Sequence, residues 1–264
     1  MAQDSDIEWC DHTFNGWWGC VKVSEACKRC YASRVAVRFG YNVWGARAAR
    51  RHASAKAWRE PLRWDAGAGA AGRRERVFCP SMGDVFEDRR DLDAPREKLW
   101  ELIRATRNLD WLLLTKRPEN IAKLVPWDGD AWPPNVWLGV TAETQQRADE
   151  RIPLLLQYPA AVRFVSAEPL LGAISLKRYM SGDRRVDWVI TGGESGAGAR
   201  PSDPEWFRQL RDECVEHGVP FFFKQWGNHA PGKFGELVRL RSKKDAGRLL
   251  DGREWNEVSN ARSE

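Results

Sequence analysis

The sequence predicts an α/β fold built on a parallel sheet, and three observations lead to this prediction. Short apolar runs recur along the chain and are hydrophobic on both faces, as strands buried in a parallel sheet are. Amphipathic segments with helical spacing separate these runs. The centres of the runs lie roughly 25–35 residues apart, about the length of one βα unit. Six or seven such units in 264 residues favour a single-domain partial (β/α)6–7 barrel of the TIM type.

The individual elements follow from composition and from end signals. An early strand is predicted at about Ile7–Phe14. The later strands are predicted at Arg76–Ser81, Asp110–Thr115, Asn135–Thr141, Val162–Ala167, Val186–Thr191 and Val219–Lys224. Helices are predicted from about Tyr31 and at Asp91–Arg107, Glu119–Leu124, Thr141–Leu156 and Ser202–His217. The helix signal between Pro169 and Arg185 is weak, and a loop is expected there.

The same pattern predicts the domain organisation. Residues 1–226 are expected to form the barrel, with a basic connector at about 40–76, and residues 227–264 a polar C-terminal appendage. The low-complexity run Gly67–Gly72 is predicted to be a flexible surface loop. The apolar runs are far shorter than the roughly 18 residues of a membrane span, and the acidic N-terminus does not resemble a secretory signal. A cytoplasmic protein without membrane contact is therefore expected.

Three of the six cysteines lie in one short window. Cys20, Cys27 and Cys30 have the spacing C-x6-C-x2-C and follow the first predicted strand. Three thiolates in one loop are typical of a soft metal centre, and three rather than four ligands leave one coordination position open. An iron–sulfur cluster, a zinc ion with Cys10 or His12 as fourth ligand, and unligated structural cysteines remain open at this point.

Blocks of sequence along most of the chain resemble the radical S-adenosylmethionine (SAM) superfamily. They include the cysteine loop Gly19–Tyr31, and they are similar to a phage-associated three-cysteine-motif branch that is distantly similar to spore photoproduct lyase. The other blocks are IEW at 7–9, PLRW at 61–64, VFCPSMGDVF at 77–86, LLTKRP at 113–118, NVWLGVTAE at 135–143, RFVSAEPLL at 163–171, VITGGESGAGARP at 189–201 and PFFFKQWG at 220–227. Two features depart from the best-known superfamily motif: the first gap is x6 rather than x3, and the aromatic residue follows the last cysteine.

The resemblance implies a [4Fe-4S] cluster on Cys20, Cys27 and Cys30, with SAM bound at its open iron. One-electron cleavage of SAM would then give a 5′-deoxyadenosyl radical. It also implies an electron donor such as a flavodoxin-type protein, and a phage- or bacterium-encoded chain. Similarity to the lyase makes thymine-directed chemistry an expectation by analogy.

Polar residues follow nearly every predicted strand, where barrel enzymes hold their sites. Ser81 and Asp84 are predicted to accept from the SAM ammonium, Lys116 or Arg117 to pair with its carboxylate, and Thr141 and Glu143 to bind the ribose. Gly192 and Gly193 would allow close approach of a ligand. The predicted cofactor set is completed by Tyr31, Ser166 and Glu168, and the predicted catalytic residues on the substrate side are Glu194 and Lys224.

Structural roles for some of these residues remain open. Glu194 and Lys224 would pair with each other in one alternative, Thr141 and Ser202 would cap helices in another, and Gly192 and Gly193 would only make a turn in a third. Trp111, Trp137 and Trp188 are expected to be packing residues.

The basic segment 22–76 carries 14 Lys or Arg and 4 Asp or Glu, and it indicates either a polyanionic partner or a solvated loop and helix face. Arg47, Arg50 and Arg51 are its candidate phosphate contacts, and Trp44, Trp58 and Trp64 are candidates for stacking on bases. In the alternative, Trp58 and Trp64 pin the connector to the barrel. The first functional hypothesis is a radical SAM isomerase or lyase acting on a nucleobase in DNA or on a nucleotide, for instance by rearranging a modified thymine. The alternatives are a zinc-stabilised nucleic-acid-binding module without catalysis, and a thymine-lesion lyase.

Overall fold

A computed structural model describes residues 5–259, with the side chains of Asp130 and Lys243 excepted. The strands are β1 (His12–Thr13), β2 (Trp17–Trp18), β3 (Arg51–His52), β4 (Glu75–Cys79), β5 (Leu109–Thr115), β6 (Val136–Thr141), β7 (Val162–Ala167), β8 (Trp188–Gly192), β9 (Phe221–Gln225), β10 (His229–Pro231), β11 (Leu237–Arg239), β12 (Leu249–Leu250) and β13 (Arg253–Glu254). The helices are α1 (Tyr31–Arg38), α2 (Ala55–Ala70), α3 (Asp93–Ala105), α4 (Ile121–Leu124), α5 (Gln145–Leu155), α6 (Pro204–Glu216) and α7 (Lys243–Ala246). The 3-10 turns are Glu25–Arg29, Arg90–Leu92, Pro118–Asn120, Gly129–Ala131 and Lys177–Tyr179.

Seven strands of the described chain form one parallel sheet in the order β1-β4-β5-β6-β7-β8-β9. This finding confirms the predicted α/β class and the parallel sheet. Neighbouring strands follow one another along the chain, as repeated βα units require. Within residues 5–259, none of the helices combines the length and the apolar character that a membrane crossing needs.

The predicted strands from Arg76 to Lys224 are confirmed, with ends that differ by at most two residues. The early strand is much shorter than expected, because only His12 and Thr13 pair with β4. Helix α5 begins at Gln145 rather than at Thr141, because the Thr144 side chain accepts a hydrogen bond from the Arg147 amide and caps it. Asp203 rather than Ser202 caps α6 in the same way.

The prediction of a flexible loop at Gly67–Gly72 is wrong, because α2 continues through Ala70. Ser54 caps this helix, and Trp58, Pro61 and Trp64 bury its inner face. Burial of that face outweighs the roughly 1 kcal/mol that each glycine costs in a helix interior. The helix ends at Ala70, and Gly72, just beyond the cap residue Ala71, has a φ of 62° that suits glycine.

The chain divides into two compact units. The first comprises the described residues up to Val23 together with Ala32–Gly139 and Pro159–Ala161, and the second comprises Ser24–Tyr31, Val140–Tyr158 and the described residues from Val162 onward. The expectation of one barrel domain over residues 1–226, with an appendage after it, stays a prediction.

Aromatic side chains dominate the core of the first unit. Phe14 contacts Trp58 and Trp111 edge-on, with ring centroids 5.1 and 5.6 Å apart. The Trp64 ring stacks on His12 at 4.4 Å. Trp58 and Trp64 therefore pack α2 against the rest of the unit. Of the two roles that the sequence left open for them, stacking on bases and pinning the connector, the structure shows the second.

The second unit is held by a similar aromatic core. Trp188 contacts Phe164 and Phe222, and Phe207 packs against Phe223.

The packing role predicted for the strand tryptophans of both units is confirmed. The side chains are at most 3% exposed for Trp111, Trp137 and Trp188.

Candidate functional site

The loop cysteines differ from the other three in exposure. Cys20, Cys27 and Cys30 are half-buried and outside any disulfide, whereas the other cysteines, also outside any disulfide, are buried: Cys10, Cys79 and Cys214. Cys27 lies in the 3-10 turn Glu25–Arg29, and Cys30 ends that turn directly before α1. The loop cysteines are therefore less buried than the remaining three, which belong to the core.

In the first unit an arginine holds the Cys20 end of the loop. The Arg117 guanidinium donates to the Cys20 sulfur at 3.4 Å and to the Val21 carbonyl at 2.7 Å. The same group forms an ion pair of 2.8 Å with Asp84. Burial, with a contribution from Asp84, raises the pKa of the Cys20 thiol to about 12, and Arg117 acts in the opposite direction. Cys20 is therefore a protonated thiol at neutral pH and must lose that proton to ligate a metal.

Asp84 is satisfied by protein donors. Its carboxylate accepts from the Thr115 hydroxyl at 2.7 Å and from the Phe86 and Lys116 amides, besides Arg117. The predicted acceptor for the SAM ammonium is thus placed as the anchor of Arg117. The half-buried Lys116 directly precedes Arg117 after β5.

Ser81 and Gly19 lie where the backbone beside Cys20 meets the end of β4. The Ser81 hydroxyl accepts from the Asn15 side chain at 2.9 Å. The Gly19 amide donates to the Met82 carbonyl, and a Cβ on Gly19 would lie 2.3 Å from the Val43 carbonyl oxygen. Gly19, at φ 116°, therefore brings the cysteine loop against the end of β4 in a way other residues cannot.

In the second unit the other end of the loop is held by a matching device. Glu194, which is 5% exposed, accepts from the Arg200 side chain and amide. Arg200 in turn donates to the Glu25 carbonyl at 3.2 Å, and Arg29 lies 3.6 Å from Glu194. The predicted catalytic Glu194 is therefore placed as a positioning residue for the turn that carries Cys27.

Sequence reasoning missed these arginine partners. Arg29, Arg147 and Arg200 all contact the 3-10 turn or its anchor, with Arg147 paired to Glu25 at 3.3 Å. The separation of Arg147 and Arg200 from the cysteine motif by more than 100 residues gave no signal of contact. The only local hint was the acidic residue Glu25 between two cysteines.

A second polar cluster lies at the ends of β7, β8 and β9. The Lys224 ammonium is 3.1 Å from the Glu168 carboxylate, which also accepts from the Ser166 hydroxyl at 3.4 Å. A Cβ on Gly192 would lie 2.9 Å from the same carboxylate. Three strand ends thus bring together four of the predicted residues, and Lys224 pairs with Glu168 rather than with Glu194.

The remaining predicted residues have distinct surroundings. Glu143 is fully buried and forms an ion pair of 2.8 Å with Arg151, which also donates to the Thr141 carbonyl. Gly193 is required by packing, because a Cβ there would lie 2.0 Å from the Trp226 carbonyl oxygen. Tyr31 begins α1 and is 48% exposed.

A groove of about 680 Å³ borders the loop that follows Glu194. None of the predicted site residues lines it. Its walls come from the residues Ser195, Gly196, Ala197, Asn228, Arg239, Leu240, Arg241 and Ser242.

Among the residues that the structure describes, no three or more His, Cys, Asp or Glu side chains form a group that could hold a metal ion. The cluster on Cys20, Cys27 and Cys30 therefore stays a prediction. The chemistry of the donor set is compatible with it, because the three loop cysteines are half-buried and outside any disulfide, and cysteine sulfurs are the ligands of iron–sulfur clusters.

Comparison with curated proteins and with solved structures finds no match for this chain. A family model does match residues 4–259, which is nearly the whole sequence. The chain therefore belongs to the family described as "Protein of unknown function (DUF5131)".

Proposed function

We propose that this protein is a radical SAM enzyme with a [4Fe-4S] cluster ligated by Cys20, Cys27 and Cys30. The observation that carries the proposal is the division of the six free cysteines: the three in the C-x6-C-x2-C loop are half-buried, and the three outside it are buried. Core packing accounts for the buried set but gives no reason for three thiols in one loop. The parallel sheet supports the proposal further, since the resemblance to the radical SAM superfamily implies an enzyme built on a partial barrel, and barrel enzymes hold their sites at the carboxyl ends of parallel strands.

When bound, the cluster and SAM supply one-electron cleavage that generates a 5′-deoxyadenosyl radical, and a flavodoxin-type donor supplies the electron. The chain's own residues hold and orient these groups. Arg117, fixed by Asp84, holds the Cys20 sulfur, and Arg200, fixed by Glu194, holds the turn before Cys30. The Lys224–Glu168 ion pair at the strand ends would contact SAM or the substrate, since neither of its members holds the cysteine loop.

The proposed substrate is a nucleobase within DNA or a nucleotide. The basic segment 22–76 and the resemblance to a thymine-directed lyase support it, and the reaction would be an isomerisation or a lyase reaction. Zinc in place of iron is the alternative. His12 is a poor loop ligand, however, because its Nε2 contacts Glu75 at 2.8 Å and its ring stacks on Trp64.

Anaerobic reconstitution with iron and sulfide tests the proposal. We expect a brown protein with about four irons per chain, and reductive cleavage of SAM to 5′-deoxyadenosine. Cys20→Ala, Cys27→Ala and Cys30→Ala should each abolish the colour, whereas Cys10→Ala should retain it. One tightly bound zinc without iron would overturn the proposal.

Arg117→Met separates ligand positioning from general damage. We expect lower iron occupancy and an altered cluster spectrum, because the Cys20 sulfur loses its donor. Arg163→Met is the matched control. Arg163 is as buried as Arg117 and forms an ion pair of 3.2 Å with Asp187, and both residues are far from the cysteine loop in the sequence. Equal iron loss in both variants would argue against a positioning role for Arg117.

A further inference from the structure

A group of aromatic rings in the first unit, two of them exposed, has no part in the site described above. Trp18 contacts Phe39 and Tyr41, with ring centroids 6.3 and 5.8 Å apart. The Arg51 guanidinium lies 4.8 Å from the Trp18 centroid and 4.3 Å from the Tyr41 centroid. We refer to Trp18, Phe39, Tyr41 and Arg51 as the aromatic patch.

Local structure holds this patch on the surface. Helix α1 ends in a Schellman motif, in which Gly40 has a φ of 78° and the Tyr41 amide donates to the Ala36 carbonyl. The motif leaves Phe39 64% exposed and Tyr41 37% exposed. Trp18 lies directly across from Arg51 in the β2–β3 pair. Backbone geometry thus leaves the Phe39 and Tyr41 rings exposed, while Trp18 is half-buried beside them. Exposed apolar groups that cluster in this way mark an interaction site.

The charge of the chain segment that carries most of the patch indicates the partner. Residues 31–59 contain seven Arg or Lys and neither Asp nor Glu. Arg50 is buried and paired with Glu87, with a shortest distance of 2.6 Å, so it is removed from this count. The six others are exposed: Arg34, Arg38, Arg47, Arg51, Lys56 and Arg59.

We propose that the aromatic patch binds unpaired bases of a single-stranded nucleic acid, with Arg51 and the other exposed cations of residues 31–59 holding its phosphates. Stacked bases need exposed ring faces, and phosphates need cations beside them; the patch and its segment supply both. A base pair inside a duplex offers no ring face, so single strands are favoured over duplex. The inference deepens the proposed function. It rests on that function for the reason why the protein would bind unpaired bases, because radical chemistry on a base requires that base to be unstacked. Binding itself requires neither cluster nor SAM.

Fluorescence anisotropy with the full chain, free of iron, tests the inference. The probe is a labelled single-stranded oligodeoxythymidine of roughly 16 nucleotides, the upper end of the length that one stacking groove covers. The same sequence as a duplex and a thymidine mononucleotide are the competitors. We expect the single strand to bind more tightly than either competitor, with affinity falling as salt rises.

Substitutions identify the surface. Phe39→Ser with Tyr41→Ser should weaken single-strand binding at least tenfold, Phe39→Trp should retain it, and Arg51→Gln should reduce the salt slope by about one. Phe234→Ser is the matched control, because Phe234 is 88% exposed beside Lys233 but stands outside the patch. Equal binding of duplex and single strand, wild-type affinity in the double variant, or no binding at low salt would each overturn the inference. Iron content and SAM cleavage are measured separately, so failure here leaves the cofactor proposal standing.

Discussion

Two carboxylates at strand ends each hold an arginine that reaches back to the cysteine loop. Asp84 holds Arg117, which contacts Cys20, and Glu194 holds Arg200, which contacts the Glu25 carbonyl. An arginine on a carboxylate is directional and retains its charge when buried. Of the predicted site carboxylates, Asp84 and Glu194 are therefore the two that hold the arginines that contact the loop.

The pH dependence of stability tests this role for Glu194. Although burial acts in the opposite direction, hydrogen bonds from Arg200 hold the pKa of Glu194 below its usual range. A depressed pKa gives stability above the unfolded pKa of about 4.3, and that stability is lost as pH falls through the folded value. We expect Glu194→Gln to lower the free energy of unfolding by about 2 kcal/mol at neutral pH. The deficit should shrink as urea titrations move to more acidic pH.

Glu216→Gln is the control for this measurement. Glu216 is an exposed residue whose pKa is also lowered, by Lys177, but solvent screens that pair. The Glu216→Gln substitution should therefore change the free energy of unfolding little at any pH. A Glu194→Gln deficit that stays constant down to acidic pH would contradict the ionic role.

At the scale of elements, α2 shows how tertiary contacts override a local loop signal. Its C-terminal turn contains Gly67 and Gly69, yet it is helical. Asn108 donates from its backbone amide to the Asp65 side chain and from its own side chain to the Asp65 carbonyl, which ties this turn to the start of β5. A Cβ on Gly69 would lie 2.7 Å from the Asn108 side chain, whereas a Cβ on Gly67 would meet open space.

Two alanine substitutions test this account of α2. Gly67→Ala should stabilise the protein by up to about 1 kcal/mol, because alanine restricts the unfolded chain and favours a helix. Gly69→Ala should lose that gain, since its methyl group displaces Asn108 from Asp65. Thermal unfolding of both variants makes the comparison. Equal stabilisation by both would show that the Asn108 contact contributes nothing, and destabilisation by Gly67→Ala would argue against helix at this point.

At the scale of the whole molecule, the open edge of the parallel sheet at β9 is covered by C-terminal residues of the second unit. Phe222 bridges to Asn256, the Phe223 amide donates to the Trp255 carbonyl, and the Trp188 indole donates to the Glu257 carbonyl. The β12–β13 hairpin turns at Asp251-Gly252, where both φ values are positive. The Asp-Gly pair after two leucines was a hairpin signal that the sequence reading overlooked.

Deleting residues 249–264 should expose the β9 edge and make the chain aggregate, because unpaired strand groups recruit other chains. We expect a lower melting temperature and oligomers in size-exclusion chromatography. Trp255→Ala is the milder variant; it removes the ring that contacts Phe221 at 5.9 Å and should lower the melting temperature without deleting the covering backbone. Lys233→Ala, on the exposed β10–β11 turn, serves as control. A monomeric truncated chain with unchanged melting temperature would contradict this role.

The sequence by itself determined the elements whose signals are local: the six buried strands, the caps near α5 and α6 to within a few residues, and the cysteine loop between β2 and α1. These signals survive because strand hydrophobicity and capping act over a few neighbouring residues. Tertiary structure alone decided which charged groups form pairs. The sequence identified four charged strand-end groups: Asp84, Glu194, Glu168 and Lys224. It did not show that Asp84 pairs with Arg117, that Glu194 pairs with Arg200 or that Glu168 pairs with Lys224, because these pairs depend on which strand ends lie side by side. It also decided that Arg50 and Trp58 are buried while Phe39 and Tyr41 are exposed, because burial is a property of the whole packed surface and not of the residue type.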